Sequence, residues 1–494
     1  MTRRSILSNR TLQLLGARGS RLLATGLCLA MLSACTLSPD YHRPQSPTPA
    51  QFKHAAGWSQ ANPSDALARG AWWELYGDAR LNGLVDELNA SNQTVAQYEA
   101  QYRQAQALVR SARGALFPSL DLNAGKTRSS QGTGSSSSSL SNNSSGIRNT
   151  YSTTLGVSWE ADLWGKLRDS LAANEASAQA SLADMAAIRL SLQSELVQNY
   201  LQLRVMDEQK RLLEATVVAY QRSLTMTENQ YRAGVSGKDA VAQAQTQLKT
   251  TQADLVDLVW QRAQLENAIA VLLGKAPADF ALADSQDIPA LPQVPLALPS
   301  QLLERRPDIA SAERKVMSAN ASIGVAKAAY FPDLTLSLNG GYSSSSFNDW
   351  ISLPNRFWSV GPQLAMTLFD GGQRSAEVDR TEAVYDQTVA QYRQAVLDGF
   401  KEVENYLVQL KVYEDEARIR SEALDSARES LRLTNNQYKA GLIAYLDVVN
   451  VQTTALSNER SVLNLLQGRL VASVQLIAAL GGGWEAPAAF AETP

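Results

Sequence analysis

Chemistry needs reactive side chains within reach of one another, and this chain offers few. Its 494 residues include two Cys and two His. Cys28 sits in the apolar run "LLATGLCLAML", and Cys35 ends the tetrapeptide "LSAC" directly after it. Before that run come Arg3, Arg4, Arg10, Arg18 and Arg21 with no acid among them. A basic stretch, an apolar stretch and small residues before a Cys form an export signal with a lipobox. Residues 1–34 are therefore expected to leave as a signal peptide. Cys35 then becomes the N-terminal, acylated residue, and its covalent lipid is the one non-protein group expected. With Cys28 gone, no internal disulfide can form. Thr36 follows Cys35; lipoproteins retained at the inner membrane favour Asp there, so Thr is compatible with passage to the outer membrane. His42 and His54 both lie in the N-terminal segment, away from any Cys, Asp or Glu cluster. No phosphate-binding glycine loop and no nucleophile–base set is present, so the chain does not read as an enzyme.

Charge narrows the partners. Without residues 1–34 the chain keeps 40 basic and 48 acidic residues, a net charge of −8. A nucleic-acid binder needs a basic surface, so nucleic acid is excluded as a partner.

The elements are arranged as two copies of one plan. "NQYRAG" at 229–234 recurs as "NQYKAG" at 436–441. "ALFPSLDL" at 115–122 recurs as "AYFPDLTL" at 329–336, and "NYLQL" at 199–203 as "NYLVQL" at 405–410. "VLLG" at 271–274 returns as "AALG" at 478–481. A constant order at nearly constant spacing marks a tandem duplication. Residues 166–233 contain no Gly and no Pro, and residues 373–440 contain only Gly399. Each run predicts one helix of roughly 100 Å. Apolar residues recur at about 3.5-residue spacing, through Leu213, Val217, Tyr220, Leu224 and Tyr231, then Leu424, Ala427, Leu431, Thr434 and Tyr438. That spacing is a coiled-coil stripe. Gly234 and Gly441 end the helices, and helical patterning resumes after each, so both hexapeptides are tips of helical hairpins.

Between the helices the period changes to two. In "TYSTTLGVSWEADLW" at 150–164 apolar and polar residues alternate. "SLDLNAG", "DLTLSLNGGY" and "WSVGPQLAMTL" do likewise, after Pro118 and Pro332 close the preceding helices. Ten of the 21 residues from 129 to 149 are Ser, as in a solvated loop. No run of 18 apolar residues follows Cys35, but dyad segments of ~10 residues fit a membrane β-barrel. Four strands cannot close one, so two, three or four chains would have to share it.

The chain resembles the TolC-like outer-membrane efflux factors, in the lipoprotein branch that serves resistance–nodulation–division pumps. The likeness rests on "CTLSPDYHRP", "WWELYGDARLNGLVDELNASN", "LPSQLLERRPDIASAER", "IGVAKAAYFPDLTL", "LFDGG" and "LGGGW". It implies a mixed α/β membrane protein: a homotrimer with a shared 12-stranded transmembrane barrel and a long antiparallel α-helical coiled-coil barrel below it. The implied plan is a lipidated arm at 35–80, a first repeat at 81–274, an equatorial linker at 275–307, a second repeat at 308–481 and a tail at 482–494. Strands are expected near 119–129, 150–163, 333–346 and 357–369, and hairpin tips near 231–241 and 438–448. The implied function is a passive outer-membrane duct, carrying drugs or other small toxic compounds from a pump and its periplasmic membrane-fusion adaptor to the outside. The resemblance places the periplasmic gate at Asp447, Asn450 and Tyr438, with Asp239 and Tyr231 as first-copy counterparts. It places adaptor contacts at Ala233, Gly234, Val235, Ala440, Gly441 and Leu442. Many relatives of this type have a second Asp where Asn450 stands, and the family's type member has an Arg latch where Ile443 stands, so the resemblance implies an incomplete charged latch. Asp239 is one position out of step with Asp447. A type I secretion or heavy-metal duct would be built alike, although seven Met without a cluster disfavour a metal-specific route. A non-conducting envelope bridge would not need the alternating segments.

Overall fold

The computed structural model describes residues 37–49, 51–54, 70–130, 147–285, 287–292 and 306–484. Cys35 and Thr36, most of the Ser-rich loop, part of the linker and the end of the tail lie outside them. In chain order the elements are α1 (Ala79–Ser91), α2 (Gln93–Gly114), β1 (Ser119–Ser129), β2 (Arg148–Ala161), α3 (Lys166–Arg232), α4 (Lys238–Leu272), α5 (Pro307–Ala328), β3 (Asp333–Ser344), β4 (Arg356–Ala365), α6 (Gln373–Lys439) and α7 (Tyr445–Ala479). Both long helices have 67 residues and both return helices 35, so the duplication survives to the residue in the hairpins. β2 starts two residues before the alternation suggested, and β4 stops four residues short of Phe369.

The chain divides into two compact units. One contains the four strands and is formed by the described residues within 1–43, 104–178 and 314–390. Its sheet has the order β1-β2-β3-β4, antiparallel throughout. Register carries the alternation from strand to strand: Leu122 faces Leu155, Leu120 faces Val157, Val157 faces Leu338, and Leu338 faces Val360. Residues opposite each other share a face, so one face is an apolar band across all four strands. The other face carries Asp121, Asn123, Thr154, Ser158, Ser337, Asn339, Ser359 and Gln363. Gly341 lies on this polar face, and a Cβ there would fall 1.9 Å from the Thr153 carbonyl, so only Gly fits. Rings gather at both strand ends. Trp159 donates its indole N–H to Leu116 O at 3.0 Å, and Trp164 stacks on Phe331 with centroids 4.7 Å apart. At the loop end Tyr151, Phe347 and Trp350 lie within 6.0 Å of one another. An apolar band between aromatic girdles is the surface a β-barrel shows to lipid. Among the described residues nothing pairs with the outer edges of β1 and β4.

The same unit holds the start of the N-terminal arm. Ser38 Oγ donates to Asp169 Oδ1 at 3.1 Å, and Asn320 donates to Pro39 O at 2.7 Å. The arm fits over α3 and α5 because residue 324 is Gly; a Cβ there would meet Asp169 Oδ2 at 2.1 Å and Ser38 Cβ at 2.7 Å.

The other unit is formed by the described residues within 44–103, 179–313 and 391–494 and buries Trp72, Tyr76, Leu81, Leu84, Leu88, Tyr200, Leu201 and Leu203. Helix ends are closed by side chains. Asn92 accepts from the N–H groups of Thr94 and Val95, capping α2, and donates to Leu272 O at the end of α4. Arg306 does the corresponding work on α7, donating to Ala479 O at 3.1 Å while pairing with Asp308 and Glu402. Burial weakens its charge, but the two carboxylates outweigh burial and hold the guanidinium protonated. A buried network fixes the start of the linker. Asp207 accepts from Arg204 at 3.0 Å, Arg262 at 2.7 Å and the Ser285 N–H at 3.2 Å, while Arg262 and Arg204 donate to Leu282 O and Ala283 O. By length and composition α7 could cross a membrane, which the search for one unbroken apolar run did not indicate. Leu470, Val474, Leu476 and Ile477 are instead buried in this unit's core.

Candidate functional site

The hairpin tips are built by identical backbone chemistry. Gly234 has φ +74° and Gly441 φ +73°. The Gly234 N–H donates to Tyr231 O at 2.9 Å and the Val235 N–H to Gln230 O at 2.9 Å; Gly441 and Leu442 repeat this onto Tyr438 O and Gln437 O at 2.9 and 3.0 Å. This is the Schellman arrangement, whose glycine supplies the left-handed turn. The residue after that Gly normally packs on the helix three positions before the cap. Here that partner is Gln230 or Gln437, so Val235 and Leu442 project, 78% and 74% exposed. Ala233 and Ala440 beside them are exposed as well.

Behind the tips the two hairpins share one small core of Tyr220, Leu224, Ala240, Ala244, Leu248, Tyr438, Tyr445 and Val448, with Ile443 packed against it. Polar pins cross from hairpin to hairpin. Tyr438 donates to Gln230 Oε1 at 2.5 Å, Tyr445 and Ser223 hydroxyls meet at 3.0 Å, Gln247 donates to Thr453 at 3.2 Å, and Arg460 pairs with Asp254 at 2.9 Å. Burial pushes the Tyr220 and Tyr445 phenols up, so both stay neutral at physiological pH. The two hexapeptides have different fates. Tyr438 is 7% exposed with its ring tilted against that of Tyr445 at 5.4 Å, whereas Tyr231 is 46% exposed and off the stripe that the spacing had put it on.

Asp239 is the second residue of α4 and Asp447 the third residue of α7. The preceding residues, Gly237 and Ala444, give no side-chain cap, so each carboxylate lies by an open helix N-terminus. Both are exposed, and among the described residues neither is paired. Asn450 is exposed one turn after Asp447. Sequence reasoning missed Gln230, Ser223, Gln247 and Thr453, because a contact between hairpins leaves no periodicity in either. Among the described residues no group of three or more His, Cys, Asp or Glu is placed to hold a metal.

Known proteins share this build. A family model described as outer membrane efflux protein matches residues 84–275 and 298–482, one span in each copy. The cation efflux system protein CusC of Escherichia coli O6:H1 is 29% identical over 462 residues, 93% of this chain and 98% of CusC. The solvent efflux pump outer membrane protein SrpC of Pseudomonas putida is 32% identical over 461 residues, 92% of this chain and 97% of SrpC. The solved outer-membrane channel OprN superposes with a TM-score of 0.84 at 28% identity, covering 92% of this chain and all of OprN. Two-faced sheet, duplicated hairpins and matches along both copies lead to one conclusion: the chain belongs to the outer membrane efflux protein family and is an efflux channel of the outer membrane with a long periplasmic helical extension.

Proposed function

We propose that three copies close a 12-stranded barrel and a helical tunnel beneath it, forming the outer-membrane duct of a tripartite efflux system. Cys35 carries the lipid that anchors the arm. The tips meet a periplasmic adaptor, which links the duct to a resistance–nodulation–division pump. The duct conducts drugs or other small toxic compounds passively, with no reaction of its own. CusC and SrpC, a cation and a solvent efflux protein, resemble the chain about equally, which fits a duct whose cargo is chosen by the pump.

The observation that carries this reading is the sheet. It has one apolar and one polar face and two free edges, and an open edge in lipid leaves backbone groups unsatisfied at several kcal/mol each. Val235→Glu with Leu442→Glu tests the tips in cells that depend on this channel. Efflux should fall while the trimer and its outer-membrane level stay normal. Full efflux by that variant would refute adaptor contact at these positions, and a monomer in detergent would refute the shared barrel.

A further inference from the structure

The charges of the sheet are sorted by end. At the helix end they are mixed and paired: Lys166 lies 3.0 Å from Glu160 and 3.3 Å from Asp333, and Arg374 lies 2.5 Å from Asp370. At the loop end they are almost all positive. Residues 122–159 contain Lys126, Arg128 and Arg148 and no acid, and residues 334–369 contain Arg356 with Asp349 as the one acid. All four cations are exposed, and among the described residues none forms an ion pair.

Register decides their face. Lys126 is opposite Tyr151, Arg128 opposite Asn149, and Arg356 opposite Tyr342. Lys126 and Arg128 have the parity of Leu120 and Leu122, and Arg356 that of Trp358, Val360 and Leu364. Three cations therefore stand on the apolar, lipid-facing side, at the end of the band away from the periplasmic helices; Arg148 takes the polar side. Lys126 Nζ is 5.3 Å from the Tyr151 ring centroid. A cation just beyond an aromatic girdle is at headgroup depth, and long side chains can reach further out while their stems stay on apolar surface.

The three are divided between the two free edges. Lys126 and Arg128 are on β1, and Arg356 is on β4. Arg356 falls in the row of Tyr342, Thr153 and Ala124, and Lys126 and Arg128 are the next two residues of that face. In the three-chain barrel proposed above, on which this inference rests, β4 of one copy runs antiparallel beside β1 of the next. Each seam would then place Arg356 of one copy at the same membrane end as Lys126 and Arg128 of its neighbour, residues that a single chain keeps on opposite edges. We propose that each seam binds a phosphate of a phosphorylated glycolipid in the outer leaflet, so that the lipid bridges two chains. Guanidinium forks match phosphate oxygens in pairs, and the ammonium adds a point charge.

The experiment uses the full chain purified in a neutral detergent. Native mass is measured first without lipid, then native mass and thermal melting with a bisphosphorylated lipid A, the same lipid stripped of phosphate, and inorganic phosphate. The wild-type trimer should take up about three phosphorylated lipids, one per seam, and melt higher. Stripped lipid and inorganic phosphate should do neither. Arg356→Gln should weaken lipid binding roughly fivefold, and Lys126→Gln with Arg128→Gln more, at about that factor per cation. Lys166→Gln at the helix end should leave lipid binding unchanged. If the multiple variant fails to assemble, Arg356→Gln against Arg356→Lys reads out the same site. Equal uptake of stripped lipid, an equal effect of inorganic phosphate, or uptake indifferent to Arg356 and Lys126 would overturn the site while leaving the trimer standing. A lipid-free monomer would overturn the three-chain barrel itself.

Discussion

Asp447 and Asp239 differ by one helical position, and that offset is the basis for separating their roles. In a trimer each would form a ring of three carboxylates, and such charges 4 Å apart interact by roughly 1–4 kcal/mol per pair depending on the local dielectric. If Asp447 lines the constriction, as we propose, Asp447→Ala should reduce cation preference and block by multivalent cations in planar bilayers, whereas Asp239→Ala should do much less. Ile443 is packed on the tip core where a charged latch would need an Arg. We propose that closure is apolar, so high salt should leave the resting conductance low; marked opening by salt would refute this. Asp169 is a second residue with a measurable consequence. Burial raises its pKa despite the Ser38 hydrogen bond, and among the described residues Oδ2 has no partner. A raised carboxylate pKa adds stability that is complete below the unfolded-state value and is lost as pH rises through the folded value. Melting of the wild type should accordingly lose stability as pH climbs from the ordinary carboxylate range, a slope that Asp169→Asn should flatten.

Among the elements, the tips and the linker network make opposite demands. A Cβ at Gly234 or Gly441 meets nothing within 4 Å, so only the positive φ opposes substitution. Ala at either tip should cost about 1 kcal/mol, read as a small drop in melting temperature. Asp207 is buried beneath two guanidinium groups. Asp207→Ala should cost roughly 3–5 kcal/mol, because the cations left behind lose their partner, and protease should then cut the linker near Leu282. Gly324→Ala should destabilise by about 1–3 kcal/mol through overpacking against Asp169, and Asp169→Ala should recover part of that in the double variant. The hairpins and strands were legible in the sequence because each repeats a local rule: no Pro and at most one Gly for 67 residues, a Gly where the chain reverses, alternation where one face meets lipid. The Asp207 network was not legible, since its members are spaced by contacts among α3, α4 and the linker rather than by any period. The contrast between Tyr438 and Tyr231 was hidden for a related reason. Equal hexapeptides acquire unequal burial only when the second hairpin supplies neighbours to one of them.

At the scale of the whole molecule the first expectation is stoichiometric: a trimer by native mass in detergent, with acylated Cys35 at its N-terminus by peptide mass spectrometry. The sheet described above has a further outcome, and it is genetic. In the proposed trimer each chain contributes one third of the barrel's strands, and its two edges must both be met by other chains. A copy with a crippled β4 edge is thus not merely inactive; it occupies a place in an assembly and leaves its neighbour's β1 unmatched. If a normal and a crippled allele are expressed equally and mix at random, only about one trimer in eight contains normal chains alone. Loss of efflux should therefore behave as a dominant trait for lesions in β1 or β4. Alleles that destroy the export signal never reach the pool of assembling chains, and they should be recessive.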